Sequence, residues 1–206
     1  MKPPISDVAF TESVKAVQQR MGSRKHYERM ETAGGWENTI SKDLAGFIGD
    51  RDSFYLATAN AKGQPYIQHR GGPKGFLKVL DERTLAFADF AGNRQYISVG
   101  NLAENKQAFL FLMDYASQTR VKIWGTAEVV DDPRLVKQLT DPAYKGKSER
   151  AIRFHVEAFD INCRQHIQPR FTQEEVEALV QPLRDRLAEL EAENKMLKRV
   201  GAARTR

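Results

Sequence analysis

The chain has a single cysteine, Cys163, among 206 residues. One thiol excludes an intrachain disulfide framework and fits a reducing compartment, so the sequence predicts a cytoplasmic protein. No apolar run approaches the roughly 20 residues that cross a bilayer, and Met1-Lys2-Pro3-Pro4-Ile5-Ser6-Asp7 lacks the apolar core of a signal peptide. No membrane partner is expected. No Cys/His cluster has metal-ligand spacing, so no metal is expected. Cys163 has Arg164 beside it and His166 nearby, which can lower a thiol pKa. The Cys-His-Asn spacing of a hydrolase is nevertheless missing, and no catalytic thiol is predicted. Acids are absent from residues 195–206, which carry Lys195, Lys198, Arg199, Arg204 and Arg206. Those five positive charges equal the formal net charge of +5, so residues 1–194 balance to zero. The basic pI is therefore a property of the tail. Such a tail can bind nucleic acid, but it reads more simply as a solvated terminus.

What is present divides by hydrophobic period. Residues 7–33 read as interrupted helices, broken at Gly22-Ser23, with Ser23 as the cap of a second helix and Gly34-Gly35 as its end. Ser41-Lys42-Asp43-Leu44 resembles a capping box, and Leu44, Phe47 and Ile48 share one helical face. From Ser53 the period becomes two. Phe54–Ala59 and Gln64–Arg70 read as strands joined by a hairpin at Asn60-Ala61-Lys62-Gly63. Gly71-Gly72-Pro73-Lys74-Gly75 breaks the second strand, either as a bulge or where another group approaches the backbone. The strand resumes over Phe76–Leu80, and Thr84–Phe90, Ala108–Met113, Arg120–Val130 and the alternating run Ile152–Ala158 follow, with a helix opened by Asp132-Pro133. About six strands with mostly short links predict a mainly β fold with peripheral helices, a largely antiparallel barrel. A parallel sheet would need more crossover helices.

At Ala91-Gly92-Asn93-Arg94-Gln95 a strand runs into a turn, a cap-type residue and a helical start. Asn93 is expected to cap that helix. Unpaired N–H groups, the helix dipole and Arg94 would then form an anion site suited to a phosphate. An ordinary capped helix is the other reading of this stretch. The C-terminal region is predicted as one long helix, capped by Thr172, with Glu174-Glu175 in its first turn. Val176, Leu179, Val180, Leu183, Leu187, Leu190 and Leu197 form a stripe near the 3.5 repeat, interrupted by Pro182 and Asn194. The stripe fits a helix packed on its own barrel or a coiled coil between subunits.

Three motifs carry a resemblance. They are Gln68-His69-Arg70-Gly71-Gly72-Pro73, Gly92-Asn93-Arg94-Gln95-Tyr96-Ile97 and Asn162-Cys163-x-Gln165-His166-Ile167. Gly63-Gln64-Pro65 and Arg120-Val121-Lys122-Ile123-x-Gly125-x-Ala127-Glu128 fall in the matching order. Roughly residues 45–165 resemble the FMN-binding split β-barrel of the pyridoxamine 5'-phosphate oxidase-like family, in a bacterial branch described as flavin-nucleotide-binding. The resemblance implies a Greek-key antiparallel split barrel over 51–169. An N-terminal helical segment (1–50) packs on it, and a C-terminal helix (170–199) and a basic tail (200–206) follow.

It also implies FMN as cofactor and a homodimer with FMN at the subunit interface. Where the family has Gly-Ser-Arg-Lys, this chain has Gly92-Asn93-Arg94-Gln95. Arg94 becomes the main phosphate partner, as a bidentate donor. Asn93 gives an uncharged polar contact, and Gln95 replaces a cation. A phosphate carries about −1.5 to −2 charge, so a second cation is wanted. Arg70, Lys74, Arg120 and Lys122 are candidates, with Arg120 first because it stands where the family usually has Gln. Arg120 also reads as a plain surface arginine at a strand start. The backbone of Gln68, His69, Arg70, Gly71 and Gly72 aligns with the segment that lines the flavin ring, and Gln165 and His166 would close over the flavin or the dimer contact. The family's Arg-x-Val-Leu-Leu-Lys strand is here Arg70-Gly71-Gly72-Pro73-Lys74-Gly75, so oxidation of pyridoxamine phosphate does not carry over with the flavin site. The implied activity is an FMN-dependent oxidoreductase acting on a small molecule or a nicotinamide. The alternative is a non-catalytic flavin carrier, sensor or scaffold that recruits a partner through its C-terminal helix. A tail-driven nucleic-acid binder is the third reading.

Overall fold

Alternation of apolar and polar residues from Ser53 onward sets the architecture. The computed structural model describes residues 3–162 and 164–204. It divides into two units, Met1–Asp114 with Gln118–His166, and Tyr115–Ser117 with Ile167–Arg206. The first opens with a 3-10 turn, Ile5–Val8, and helices α1 (Glu12–Arg20), α2 (Arg24–Thr32) and α3 (Lys42–Gly49). Strands β1 (Ser53–Ala59), β2 (Pro65–Gly71), β3 (Lys78–Asp81) and β4 (Thr84–Phe90) follow. Helix α4 (Ile97–Glu104), β5 (Gln107–Asp114), β6 (Thr119–Val130), α5 (Pro133–Leu139) and β7 (Ser148–Asn162) complete it. All seven strands form one antiparallel sheet in the order β2-β1-β5-β6-β7-β4-β3. The expected antiparallel split barrel is the observed fold, with seven strands rather than six. The strand expected over Phe76–Leu80 is β3, which starts only at Lys78 because Phe76 and Leu77 leave the ladder and are buried in the core.

The pleat explains the core. Phe54, Leu56 and Thr58 of β1 point inward, as do Leu110 and Leu112, Val121 and Ile123, and Ile152, Phe154 and Val156. Leu44 and Ile48 of α3 join them. Strand β4 is buried on both faces: Leu85 and Phe87 face the barrel interior, while Ala86 and Ala88 lie under Leu135 and Leu139 of α5. Small alanines let that helix sit close. On the outer face of β6, Trp124 stacks on Trp36 with centroids 4.6 Å apart, and Phe10 packs on Trp36 at 5.1 Å. Between α1 and α2, Arg24 is held by Gln18, Glu28 and Glu31. Ser41 caps α3 as expected. Ser23 does not cap α2: its hydroxyl donates to the Gln18 carbonyl instead, and its backbone is already helical. At the β3–β4 turn, the backbone N–H of Arg83 donates to Asp81 at 2.8 Å, which holds that carboxyl below its usual range.

The second unit is dominated by α6 (Gln173–Arg204). Thr172 and Glu175 form a reciprocal capping box: the Glu175 N–H donates to Thr172 Oγ1 at 3.2 Å, and the Thr172 N–H donates to Glu175 Oε2 at 2.7 Å. The helix continues through Pro182. Arg170 lies over the Tyr115 ring at 4.8 Å. No helix among the described residues is long and apolar enough to cross a membrane. Cys163 lies outside the described residues.

The barrel curls where β6 and β7 shift register at Trp124 and Gly125. A Cβ on Gly125 would sit 1.9 Å from the His155 carbonyl oxygen. Backbone cannot retreat as a flexible side chain can. Gly125→Ala is therefore expected to cost about 3 kcal/mol or more in urea unfolding; an unchanged midpoint would contradict the close approach.

Candidate functional site

The inward positions of β4 run Leu85, Phe87, Asp89. The first two are core residues. The third places a carboxylate at the end of the barrel interior, with its side chain 7% exposed. Such a charge needs a partner. Arg70 supplies it from β2, where it faces inward opposite Phe54. Its Nη1 donates to Asp89 Oδ1 at 2.5 Å. Arg150, the cross-strand neighbour of Asp89 on β7, lies 3.8 Å from Oδ2 and also bonds Glu149 at 3.1 Å. The Arg70 Nε–H is buried and has no acceptor. Strand β2 is one edge of the sheet and β4 is next to the other edge. The Arg70–Asp89 pair therefore spans the split.

After Phe90 the chain turns through Ala91–Tyr96 before α4. Here the expectation for Asn93 is corrected. Asn93 does not cap the helix; its Oδ1 accepts the Gln95 N–H at 3.2 Å, closing a local turn. The N-cap position falls to Tyr96, with φ 51° and no side-chain cap bond. Arg94 also has a left-handed backbone, at φ 59°. Two left-handed residues within three positions delay the helix until Ile97. The corner is pinned from the other side. Ser98 Oγ donates to Gln68 at 3.0 Å, and Asn101 donates to Thr58 at 3.0 Å. Tyr96 lies against the Arg150 guanidinium, 5.1 Å from its carbon to the ring centroid.

These elements line a shallow cleft of about 40 Å³ that opens to solvent, walled by Gln68, Arg70, Asp89, Asn93, Arg94, Tyr96, Ser98 and Glu149, among others. Two acids and two arginines neutralise one another at its base. Arg94 is exposed and makes no ion pair with a described residue. The cluster therefore has one positive charge in excess, and Arg94 carries it. That arrangement suits a compact anion at the mouth.

Of the residues read from the sequence, Gln68, Arg70, Asn93 and Arg94 meet in this cleft. Gln95 is exposed beside it. His69 points to the outer face, against Tyr55. Gly71 ends β2, and the space beside Gly72 is filled by the ring of Phe76, where a Cβ would come within 2.6 Å. The bare α-carbon of Gly72 thus serves core packing. Arg120 and Lys122 also lie on the outer face, alternating with buried Val121 and Ile123. Lys122 bonds Asp160 at 2.8 Å and lies 5.4 Å from the Trp124 ring centroid. Arg120 pairs across the sheet with Met113 and Asn162, and its Nε is buried without an acceptor. Lys74 bonds Asp50 at 3.1 Å. Gln165 and His166 lie in an exposed turn after β7, with His166 at φ 64°. Sequence reading passed over Asp89, Ser98, Glu149 and Arg150. Asp89 carried a signal: it is an acid at the third inward position of an otherwise apolar strand. Among the described residues no group of three or more His, Cys, Asp or Glu is placed to hold a metal.

Residues 40–167, more than half of the chain, match the family model for pyridoxamine 5'-phosphate oxidase. The chain belongs to that family. No curated protein matches it. Among solved structures, HupZ of Group A Streptococcus is 19% identical, covering 58% of this chain and 91% of its own, with a TM-score of 0.48. An FMN-binding protein of Syntrophomonas wolfei is 13% identical, covering 70% of this chain and 97% of its own, with a TM-score of 0.47. A Clostridium acetobutylicum protein related to general stress protein 26 is 15% identical, covering 65% and 94%, with a TM-score of 0.44.

Breaking a mostly buried ion pair leaves one charge stranded, which costs about 3–5 kcal/mol, whereas replacing both partners by apolar groups is often near neutral. Asp89→Ala is therefore expected to lose about 3 kcal/mol in urea unfolding. Arg70→Met with Asp89→Leu should recover much of that loss. Single and double variants that lose the same amount would show that the pair does not couple β2 to β4.

Proposed function

We propose that the protein binds FMN, with the phosphate at the Arg94 corner, and that it acts as an oxidoreductase on a small molecule or a nicotinamide. The observation that carries this reading is Arg94. It lines the cleft, lacks an ionic partner and has a left-handed backbone that costs about 1 kcal/mol or more. The turn closed by Asn93 holds Arg94 in that conformation and leaves its guanidinium available to a ligand. Membership of the pyridoxamine 5'-phosphate oxidase family supports FMN as that ligand. The local side chains fit an anion: Arg94 donates in a fork, Asn93 adds an uncharged contact, and Arg70 and Arg150 screen Asp89 and Glu149.

One excess positive charge does not balance a phosphate of about −1.5 to −2. Gln95 adds none, and Arg120 and Lys122 stand on the other face of the sheet. A cation from a second copy would complete the charge, which favours a homodimer with FMN between subunits. The outer face carries exposed Tyr55 and Ile67 and half-buried Phe109 and Phe111, a surface suited to a partner. In this reading Arg120 serves the site of the other subunit. Bound FMN would supply hydride or electron transfer, while the protein supplies position and electrostatics. One observation favours a carrier or sensor instead: Asp89 and Glu149, the acids of the cleft, are both committed to ion pairs.

The purified protein should be yellow and release FMN on denaturation. Bleaching by NADH or NADPH marks the enzyme, and resistance to reductants marks the carrier. Colourless protein that takes up no added FMN would overturn both. Arg94→Ala should weaken FMN binding about 10- to 100-fold, the scale of a charge-assisted hydrogen bond. Arg94→Gly should lose the same affinity yet gain up to about 1 kcal/mol of stability by relieving the strained backbone. Unchanged affinity in both variants would refute the phosphate assignment.

A further inference from the structure

Helix α6 carries an apolar stripe with a heptad register of its own. Setting Val176, Leu183, Leu190 and Leu197 at heptad position d puts Val180, Leu187 and Asn194 at position a. This register holds for three heptads without a skip. Leu183 and Leu197 are 69% and 65% exposed, and Val176, Leu187 and Leu190 are exposed as well. A helix of 32 residues with Pro182 in its interior gains little from propensity alone. Pro182 falls at position c, which faces away from the seam. Such a helix is sustained by packing its apolar stripe.

We infer that α6 pairs with α6 of a second copy of this chain as a parallel, in-register two-stranded coiled coil. The inference is independent of the flavin reading. Charge complementarity identifies a second copy as the occupant. In parallel register, Arg186 at g meets the partner's Glu191 at e, and Glu193 at g meets the partner's Lys198 at e. Like charges face each other at neither position. The contacts these residues make within one helix, such as Arg186 with Glu189 at 2.7 Å, are exposed and exchange readily.

Charge alone does not set the orientation. An antiparallel pair would also match Arg184 with the partner's Glu191 and Arg186 with the partner's Glu193. Asn194 decides. In the antiparallel overlap that keeps the leucines together, its amide faces the partner's Leu183 and loses its hydrogen bonds. In the parallel register it faces the partner's Asn194, and the two amides can bond. A buried amide without a partner costs several times what an exposed ion pair returns. A polar residue at one a position is also a known way of fixing register and strand number.

The test uses the full chain with Cys163→Ser and a single new thiol, under mild oxidation. Leu197→Cys should cross-link to a disulfide dimer on a non-reducing gel, with most of the protein joined. Asp185→Cys, at the outward f position, should stay monomeric under the same conditions. In the antiparallel arrangement Leu197 would face the partner's Val180, and the two copies of residue 197 would lie roughly 25 Å apart at about 1.5 Å per residue. Cross-linking only in a mixture of Val180→Cys and Leu197→Cys chains would therefore overturn the parallel assignment. No cross-link in either arrangement, or equal cross-linking at Asp185→Cys, would overturn the coiled coil itself. The new thiols all lie on α6, and a circular dichroism spectrum of each variant checks that the chain folds.

Discussion

The Arg70–Asp89 ion pair is the constraint on which the site depends. The seven-stranded sheet does not close through its backbone ladder, because β2 and β3 are its edges. An edge strand left alone is free to fray or to pair with another chain. Here β2 is fastened to β4 by a side-chain pair at 2.5 Å, with Ser98 and Gln68 adding a second link through α4. The fastening is polar because it sits at the mouth of the barrel, where the apolar interior row ends. The same two residues therefore shape the cleft wall and hold the split barrel in form. A change at Asp89 strands a buried charge and alters the cleft together, which separates it from Arg94, whose side chain serves only the mouth.

The two faces of the sheet carry different chemistry. Inward residues make the core and, at the Asp89 end, the cleft. Outward residues make the aromatic stack of Trp36 and Trp124, the Lys122–Asp160 pair and the exposed patch around Tyr55 and Ile67. Strand period alone assigns Arg70 to one face and Arg120 to the other. In a single chain these two arginines cannot share a ligand at the corner. This separation is why the proposed FMN site draws on a second subunit.

Much of the fold was legible in the sequence because its signals are local. Alternation marked the strands, Ser41 and Thr172 marked helix starts, and the short links pointed to antiparallel pairing. The failures are local signals overridden by their surroundings. Asn93 looks like a cap, but left-handed backbone at Arg94 and Tyr96 moves the helix start to Ile97. Ser23 looks like a cap, but its hydroxyl finds the Gln18 carbonyl first. The cleft was legible in part. Arg94 and Arg70 stood in recognisable motifs, whereas Arg150 and Glu149 reach the site only through the pairing of β7 with β4, which no short stretch of sequence states.

In the proposed function, the corner between β4 and α4 holds the phosphate of FMN. A crystal structure of the full chain grown with FMN tests it most directly. Phosphate oxygens are expected within about 2.7–3.2 Å of the Arg94 guanidinium, in the cleft beside Gln68 and Ser98, with a cation from a second copy completing the site. FMN bound with its phosphate against Arg120 or Lys122 and away from Arg94, or completed within one chain, would contradict it.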